Sequence, residues 1–241
     1  MDHKAANPLG VVFVSWQIPE HRLRDHFAWN ERLYRPGGVR VFAVTDREYE
    51  VPDYARCVIF PKTRLPIFGG RYRFALTRTK NAGIRAAIAA GCSPIICSDV
   101  DIAFEPAAWM AALATTDRTA AVPLYRMSLS SQWAERENSY EEAPLAEGTI
   151  TMTAHNWERI QYCERQWGYG GDDGTIIDRI AHADPPIRIT RVGHVYHMAH
   201  VDGACQKEFC GRTDHWNRDN GLNPENFRRN ARHGGRGKVV L

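Results

Sequence analysis

The stretch that decides the fold runs from residue 73 to residue 101 and reads RFALTRTKNAGIRAAIAAGCSPIICSDVD. Its first part, residues 73–90, is rich in alanine and carries apolar side chains near helical spacing, which predicts a helix. Gly91 stands where a helix C-cap glycine is expected. The apolar run 95–97 then predicts a strand that leads directly into Asp99 and Asp101. A helix followed by a strand with acidic residues at its end is typical of an α/β sheet with a ligand site at its carboxyl edge.

The same alternation extends toward the N-terminus. Residues 11–15 (VVFVS) predict a buried strand, residues 20–34 an amphipathic helix, and residues 39–44 and 57–60 two further strands. Strands that alternate with helices predict a mostly parallel central sheet with helices on both faces, which is the α/β fold class.

The second half of the chain is less regular. Residues 130–147 are hydrophilic and predict a loop, and the basic, glycine-rich end predicts a mobile tail over 228–241. Between them the pattern predicts a strand at 149–153, a helix at 155–166, a glycine-rich turn at 168–174, a helix at 175–183 and a strand near 187–192. No repeat or linker divides the chain, so we expect a single domain over residues 1–241.

Composition narrows the class of protein. The formal net charge of +3 suits a site for an anionic ligand such as a nucleotide diphosphate, and by itself does not argue for nucleic acid. The apolar run 11–14 is too short for a secretion signal or a membrane span, so we expect a cytoplasmic protein without a membrane span. The six cysteines form no dense framework, which favours reduced thiols.

The first chemical motif is Ser98-Asp99-Val100-Asp101. Two carboxylates two positions apart, where a strand passes into a turn, can both reach one divalent cation, and hard oxygen ligands suit Mg²⁺ or Mn²⁺. The alternative is an acidic turn that is merely solvated. The buried strand before the pair and Phe104-Glu105-Pro106 after it favour the metal site.

The second motif is the glycine-rich WGYGGDDG at residues 167–174. Its glycines permit an unusual backbone path, and Asp172 and Asp173 fall at the start of the next predicted helix. The helix dipole stabilises ionised carboxylates there, and an ionised carboxylate over a pocket is what a general base needs. A plain turn with an N-cap aspartate is the alternative.

The third motif is RVGHVYHMAH at residues 191–200. A neutral imidazole can bind Mn²⁺ or Zn²⁺, and His194, His197 and His200 recur at every third position. In an extended segment alternate residues face opposite sides, so one metal ligand from this run is more plausible than three. Packed or solvent-facing histidines are the alternatives.

Together the three motifs resemble the GT-A superfamily of glycosyltransferases. Asn81-Ala82-Gly83-Ile84 and the strand that ends at Asp99 resemble its R-N-x-G helix and D-x-D strand. WGYGGDDG resembles the acceptor and catalytic loop of the β-1,4-galactosyltransferases. RVGHVYH resembles the V-G-H-V-F-R segment of the polypeptide N-acetylgalactosaminyltransferases, whose histidine binds Mn²⁺. The resemblance covers roughly residues 10–200.

The resemblance implies a GT-A, Rossmann-like domain that transfers a sugar from a nucleotide-sugar donor, a UDP-sugar, with Mn²⁺ or Mg²⁺. By position, Asp101 and His194 would bind the metal, and Asp99 would contact the nucleotide ribose or the metal through water. Asp173 would be the general base and Asp172 would bind a hydroxyl group of acceptor or donor. The acidic pair implies inversion, although the histidine segment resembles retaining relatives, and the roles of the two acids are interchangeable.

The resemblance also implies a set of donor-binding residues. These are Ser15 and Trp16 after the first strand, Asp46 after the second, and Arg78, Lys80 and Asn81 on the helix before the D-x-D motif. Lys80 stands where the family has arginine, so either Arg78 or Lys80 fills that role. The chain is shorter than the Golgi enzymes of the family, which implies a bacterial or phage-infected cell.

Several alternatives remain open at the level of sequence. The acceptor is a glycan, a protein side chain or a modified DNA base. In the last case, which is that of phage-type enzymes, the basic tail would contact DNA phosphates. Rivals to a glycosyltransferase are a non-catalytic carbohydrate-binding protein, a metal-dependent phosphohydrolase, and a zinc-binding module built from His194, His197, His200, Cys205, Cys210 and His215.

Overall fold

A computed structural model describes residues 7–15, 20–36, 38–61, 75–128, 140–143, 148–164 and 172–197. The strands in these segments are β1 Leu9–Val14, β2 Val39–Thr45, β3 Ala55–Ile59, β4 Ile95–Asp99, β5 Ile102–Phe104, β6 Thr119–Ala121, β7 Leu124–Ser128, β8 Tyr140–Ala143, β9 Ile150–Met152, β10 Arg188–Thr190 and β11 His194–His197. The helices are α1 Glu20–Tyr34, α2 Leu76–Ala89, α3 Pro106–Leu113, α4 Ala154–Ile160 and α5 Asp172–Ala181.

The larger sheet has the strand order β10-β6-β9-β4-β1-β2-β3. Strands β4, β1, β2 and β3 are parallel, β10 is parallel to β6, and β9 runs antiparallel to both of its neighbours. The chain moves outward from β1 to β3 and then returns to β4 on the other side of β1. The order therefore reverses between β1 and β4, and ligands of open α/β sheets bind at such a reversal.

Helices cover both faces of this sheet. Val12 and Val14 pack in one core cluster with residues of α2, α4 and α5, whereas Val11 and Phe13 pack in the other with residues of α1 and α3. Successive strand residues point to opposite faces, so a fully apolar strand such as β1 requires a core on each side. The prediction of an α/β fold with a mostly parallel sheet and helices on both faces is confirmed.

Helix α2 lies unusually close to the sheet at Gly83. A Cβ atom added there would come within 2.4 Å of Val12 Cγ1 and 2.6 Å of Val44 Cγ2. The glycine of the Asn81-Ala82-Gly83 motif therefore serves helix–sheet packing, and it allows the neighbouring turns of α2 to reach the edge of β1 and β4.

A second, smaller sheet has the order β5-β11-β7-β8, which the sequence pattern did not predict. Strand β11 pairs antiparallel with β5 and parallel with β7. These strands have three to five residues, too few for a period-2 pattern to stand out. The sheet brings the RVGHVYH segment alongside the residues that follow the D-x-D motif.

Other boundaries differ from the sequence predictions. The helix predicted at 155–166 ends at Ile160, because Gln161 has a φ of 39° that a helix cannot contain. Helix α5 begins earlier than predicted, at Asp172, and helix α3 and strands β6 and β8 were not predicted. The tail at 228–241 lies outside the described residues. None of the helices in the described segments is long and apolar enough to cross a membrane.

Candidate functional site

The candidate site lies at the carboxyl edge of three neighbouring parallel strands. Asp99 is the last residue of β4 and pairs in register with Val14 at the end of β1. Ser15 follows β1 directly, is buried, and its N–H donates to the carbonyl of Val44 on β2 at 2.8 Å. Asp46 follows β2. The structure thus brings Ser15, Asp46 and Asp99 to one edge, as predicted, whereas Trp16 lies outside the described residues.

Lys80 links the two acidic motifs. Its side chain on α2 is 1% exposed, and its Nζ lies 3.1 Å from Asp173 Oδ1 and 3.7 Å from Asp99 Oδ1. The ammonium also lies 5.0 Å from the centre of the Tyr162 ring. Residues that are far apart in sequence, at the end of β4 and at the start of α5, therefore share one buried cation.

The burial of Lys80 has an electrostatic consequence. A buried ammonium is tolerated only where opposite charges and hydrogen bonds compensate for its lost hydration. Here the carboxylates of Asp99 and Asp173 compensate, and both remain partly exposed toward the edge of the sheet. Lys80 therefore holds the Asp99 and Asp173 carboxylates together at this edge, and Asp101 follows Asp99 by two positions in the chain.

The structure pairs Asp101 with His197. His197 Nε2 lies 3.4 Å from Asp101 Oδ2, because His197 stands opposite Ile102 in the antiparallel pairing of β11 with β5. His194 instead lies near Glu105, with its Nδ1 3.6 Å from Glu105 Oε2. The two histidines are an odd number of residues apart in an extended strand, so they face opposite sides of the smaller sheet, as the alternation of side chains predicts.

This arrangement bears on the predicted metal ligands. Within the part of the chain that the structure describes, no three His, Cys, Asp or Glu side chains converge on one point. The predicted trio of Asp99, Asp101 and His194 is therefore not assembled, and the role of His194 as a ligand stays a prediction. Its Nε2 is buried and has no hydrogen-bond partner among the described residues.

The Asp101–His197 pair nevertheless fits a divalent cation. A carboxylate oxygen and an imidazole nitrogen are ligands that Mn²⁺ accepts. Such ions are often held by one or two protein groups, with the phosphates of the substrate and water completing the shell. Two protein ligands are thus a sufficient protein contribution for a metal that also binds the phosphates of a substrate.

Asn81 and Arg78 hold a neighbouring segment of backbone. Asn81 Nδ2 donates to the carbonyl of Tyr162 at 2.9 Å, and its Oδ1 accepts from Tyr162 N–H at 3.0 Å. Arg78 Nε donates to the carbonyl of Glu164 at 3.0 Å. Both side chains therefore secure the segment that leads into residues 165–171, which lie outside the described residues. Contact of Arg78 or Asn81 with a donor stays a prediction.

Glu164 belongs to the same arrangement. Its Oε1 accepts hydrogen bonds from Arg85 at 2.8 Å and from Asn81 at 3.1 Å. Partial burial raises the pKa of Glu164, but the hydrogen bonds from Arg85 and Asn81 outweigh it and the pKa is lowered. Glu164 is thus a carboxylate engaged in structure rather than a candidate acid or base.

The acidic pair lies in the first turn of α5, which begins at Asp172. A carboxylate in this position interacts favourably with the helix dipole. Asp173 makes the contact with Lys80, whereas the side chain of Asp172 lies outside what the structure describes. The placement of the pair at a helix start is as predicted, and Lys80 joins Asp173 to Asp99.

Two further buried side chains, those of His26 and Cys97, lie near the site, and the sequence motifs pointed to neither of them. His26 on α1 contacts the carbonyl of Val100, the residue between the two aspartates, at 2.8 Å. The sequence feature that could have indicated a buried His26 is its position within the apolar stripe of the helix predicted at 20–34. Cys97 lies two residues before Asp99, but burial raises the pKa of its thiol to about 12, so it is not a nucleophile near neutral pH.

No protein-family model matches the chain, and no curated protein matches it. Among solved structures 96 chains match, so the architecture recurs in known proteins. One is a crystal structure of a mycobacterial protein, with a TM-score of 0.50 and 14% identity over 82% of this chain and 69% of that one. At such an identity the likeness bears on the fold alone, and it agrees with the α/β architecture.

Proposed function

We propose that this chain is a metal-dependent glycosyltransferase that moves a sugar from a nucleotide-sugar donor, a UDP-sugar, to an acceptor hydroxyl group. The observation that carries the proposal is the contact of Lys80 with both Asp99 and Asp173. That contact joins an acidic motif at the carboxyl edge of β4 to an acidic motif at the start of α5. A donor site and a catalytic carboxylate must adjoin in this way for transfer to occur.

The donor would lie where the strand order reverses. Ser15 and Asp46 follow β1 and β2 at the same edge as Asp99, which suits polar recognition of a nucleoside. Asp101 and His197, 3.4 Å apart, would hold Mn²⁺ or Mg²⁺ beside the diphosphate. The bound ion would act as a Lewis acid that stabilises the departing nucleoside diphosphate.

Asp173 would act as the general base. In the proposed mechanism it accepts the proton of the acceptor hydroxyl as that oxygen attacks the anomeric carbon from the face opposite the nucleotide, which inverts the configuration. Lys80 would hold the Asp173 carboxylate in a fixed orientation through its 3.1 Å contact. Asp172, its neighbour in the first turn of α5, would bind a hydroxyl group of the acceptor or donor.

The donor site can be tested by thermal unfolding with a panel of nucleotide sugars, first with Mn²⁺ and then with EDTA. A ligand that binds only the folded chain raises the unfolding midpoint. We expect a rise with one UDP-sugar that requires Mn²⁺ and is absent in Asp101→Ala. The exposed Asp53→Ala serves as a matched control. No metal-dependent rise with any nucleotide sugar would contradict the proposal.

The catalytic assignment is tested by release of nucleoside diphosphate from the donor so identified. We expect Asp173→Asn to lose at least about a hundredfold in kcat while donor binding changes little. Asp178→Asn, on the same helix and with its carboxylate 3.2 Å from His182 Nδ1, is the matched control and should keep normal turnover. Normal turnover in both Asp173→Asn and Asp172→Asn would refute the proposed base.

A further inference from the structure

Helix α1 buries two polar side chains against the D-x-D segment. His26 and Asn30 lie one helical turn apart, and both are 0% exposed. Buried polar groups are retained at a cost in desolvation, so their hydrogen bonds must be well made. Neither residue has a part in the proposed chemistry. Both contact the backbone that follows Asp99.

The hydrogen bonds of His26 fix its tautomer. Its Nδ1 lies 2.8 Å from the carbonyl oxygen of Val100, which can only accept, so Nδ1 carries the hydrogen. Burial lowers the pKa of His26 to about 4, although the bond to Val100 raises it, and the ring is therefore neutral near pH 7. Nε2 must then accept from the hydroxyl of Tyr34, at 2.9 Å.

The side-chain amide of Asn30 makes two hydrogen bonds to the backbone of β5, as a neighbouring strand would. Its Nδ2 donates to the carbonyl of Ile102 at 3.0 Å, and its Oδ1 accepts from the N–H of Phe104 at 2.9 Å. On its other edge β5 pairs with β11, which places His197 opposite Ile102. The backbone from Val100 to Phe104 is thus held from one side by α1 and from the other by β11.

We propose that His26 is a positioning residue for metal binding: its Nδ1–H holds the Val100 carbonyl and thereby orients the Asp101 carboxylate toward His197. Asp101 lies between the point that His26 holds and the strand that Asn30 holds. The Phe13 ring, 3.9 Å from the imidazole centre to centre, keeps the imidazole in place. The effect on metal binding rests on the proposed function, which supplies the metal. The effect of His26 on the backbone at Val100 does not depend on a metal.

The substitutions His26→Asn, His26→Gln and Tyr34→Phe distinguish loss of the bond to Val100 from a general loss of stability. In His26→Asn the side-chain amide can donate from near the position of Nδ1 and so keep the bond to Val100. In His26→Gln the longer side chain reaches the position of Nε2 and keeps the contact with Tyr34 instead. Tyr34→Phe removes the other bond of His26 and leaves the bond to Val100. His26→Gln and Tyr34→Phe therefore each lose one buried hydrogen bond, but only His26→Gln releases the D-x-D turn.

The first measurement is amide hydrogen exchange of the peptide that spans residues 100–104, without metal. We expect exchange about tenfold faster in His26→Gln and unchanged in His26→Asn and Tyr34→Phe. Equal acceleration in His26→Gln and Tyr34→Phe, or none in either, would overturn the positioning of the turn. His26→Leu provides a second variant without a donor if His26→Gln does not fold.

The second measurement is Mn²⁺ affinity by calorimetry in the presence of UDP, whose phosphates complete the metal's shell, at a temperature where every variant is folded. We expect His26→Gln to bind Mn²⁺ about tenfold more weakly than wild type, and His26→Asn and Tyr34→Phe to bind as wild type does. Equal affinity in wild type and His26→Gln would overturn the inference. Failure of the wild type to bind Mn²⁺ would instead refute the metal of the proposed function, and hydrogen exchange would still decide whether His26 holds the turn.

Discussion

The ammonium of Lys80 lies 3.1 Å from Asp173 Oδ1, although the two residues belong to different helices and stand 93 positions apart in the chain. The side chain of Lys80 is 1% exposed and also lies 3.7 Å from Asp99 Oδ1. One buried cation therefore fixes the distance between the end of β4 and the start of α5. The proposed donor site and the proposed base depend on this relationship.

Lys80→Met removes the cation that joins Asp99 to Asp173 and should lower both stability and turnover. The variant leaves two neighbouring carboxylates without their shared cation, and because both are partly exposed we expect a loss of about 2 kcal/mol in the free energy of unfolding. We also expect kcat to fall more than KM rises, since the orientation of Asp173 is lost. Urea unfolding and steady-state kinetics measure these quantities. Arg85→Met, exposed on the same helix, is the control, and equal effects in both variants would contradict the role of Lys80.

The two histidines of β11 should differ in their effect on metal binding. His197 contacts Asp101 and His194 contacts Glu105, so we expect His197→Ala to weaken Mn²⁺ binding about tenfold or more and His194→Ala to have a smaller effect. Calorimetric titration with Mn²⁺ in the presence of UDP measures both affinities. The reverse order would restore His194 as the ligand and show that β11 binds metal from its other face.

Gly83→Ala tests the close packing of α2 on the sheet. Alanine is favoured over glycine in a helix by about 1 kcal/mol, so on an open helix face the substitution should stabilise the protein. Here the added methyl would meet Val12 and Val44, and we expect a net loss of about 1–2 kcal/mol instead. The midpoint of urea unfolding gives the sign, and a higher midpoint in Gly83→Ala would contradict the packing.

Stability should depend on pH through His26. Burial lowers its pKa from the ordinary 6.5 to about 4, so above about pH 6.5 the ring is neutral in both folded and unfolded chains. Between pH 6.5 and 4 the unfolded chain binds a proton at this ring and the folded chain does not. The free energy of unfolding therefore decreases as the pH is lowered, by up to about 3 kcal/mol. The groups facing His26 are Tyr34 and the Val100 carbonyl, with the Asp101 charge near.

The difference between wild type and His26→Asn isolates this contribution. We expect wild type to lose more stability than the variant when urea unfolding is repeated at pH 7 and at pH 4.5. Parallel losses in the two proteins would show that His26 is not held in its neutral form by the fold.

The sequence predicted the larger sheet well because its signals are strong. Strand β1 is apolar throughout, which requires a core on each face, and the alanine-rich helix α2 ends near Gly91 as a C-cap glycine indicates. The place of Asp99 at the carboxyl edge was predicted from the strand-end rule, whereas Ser15 and Asp46 were predicted as site residues from the resemblance. These features depend on local periodicity and on a general rule for α/β sheets.

The relations between distant segments could not be predicted. The register of β11 against β5 decides that His197, rather than His194, stands beside Asp101, and strands of three and four residues carry no pattern that fixes a register. Likewise Lys80 was predicted only as a substitute for arginine. Its contact with Asp173 depends on how α5 packs against α2, which the sequence does not specify.

The most direct test of the account is calorimetric titration with UDP, in Mn²⁺ and in EDTA, of wild type, Asp101→Ala and the exposed control Asp53→Ala. We expect UDP to bind only with Mn²⁺, Asp101→Ala to weaken this binding about tenfold or more, and Asp53→Ala to leave it unchanged. Binding of equal strength in Mn²⁺ and EDTA, or no binding of UDP by the wild type, would contradict a metal-dependent nucleotide-sugar site.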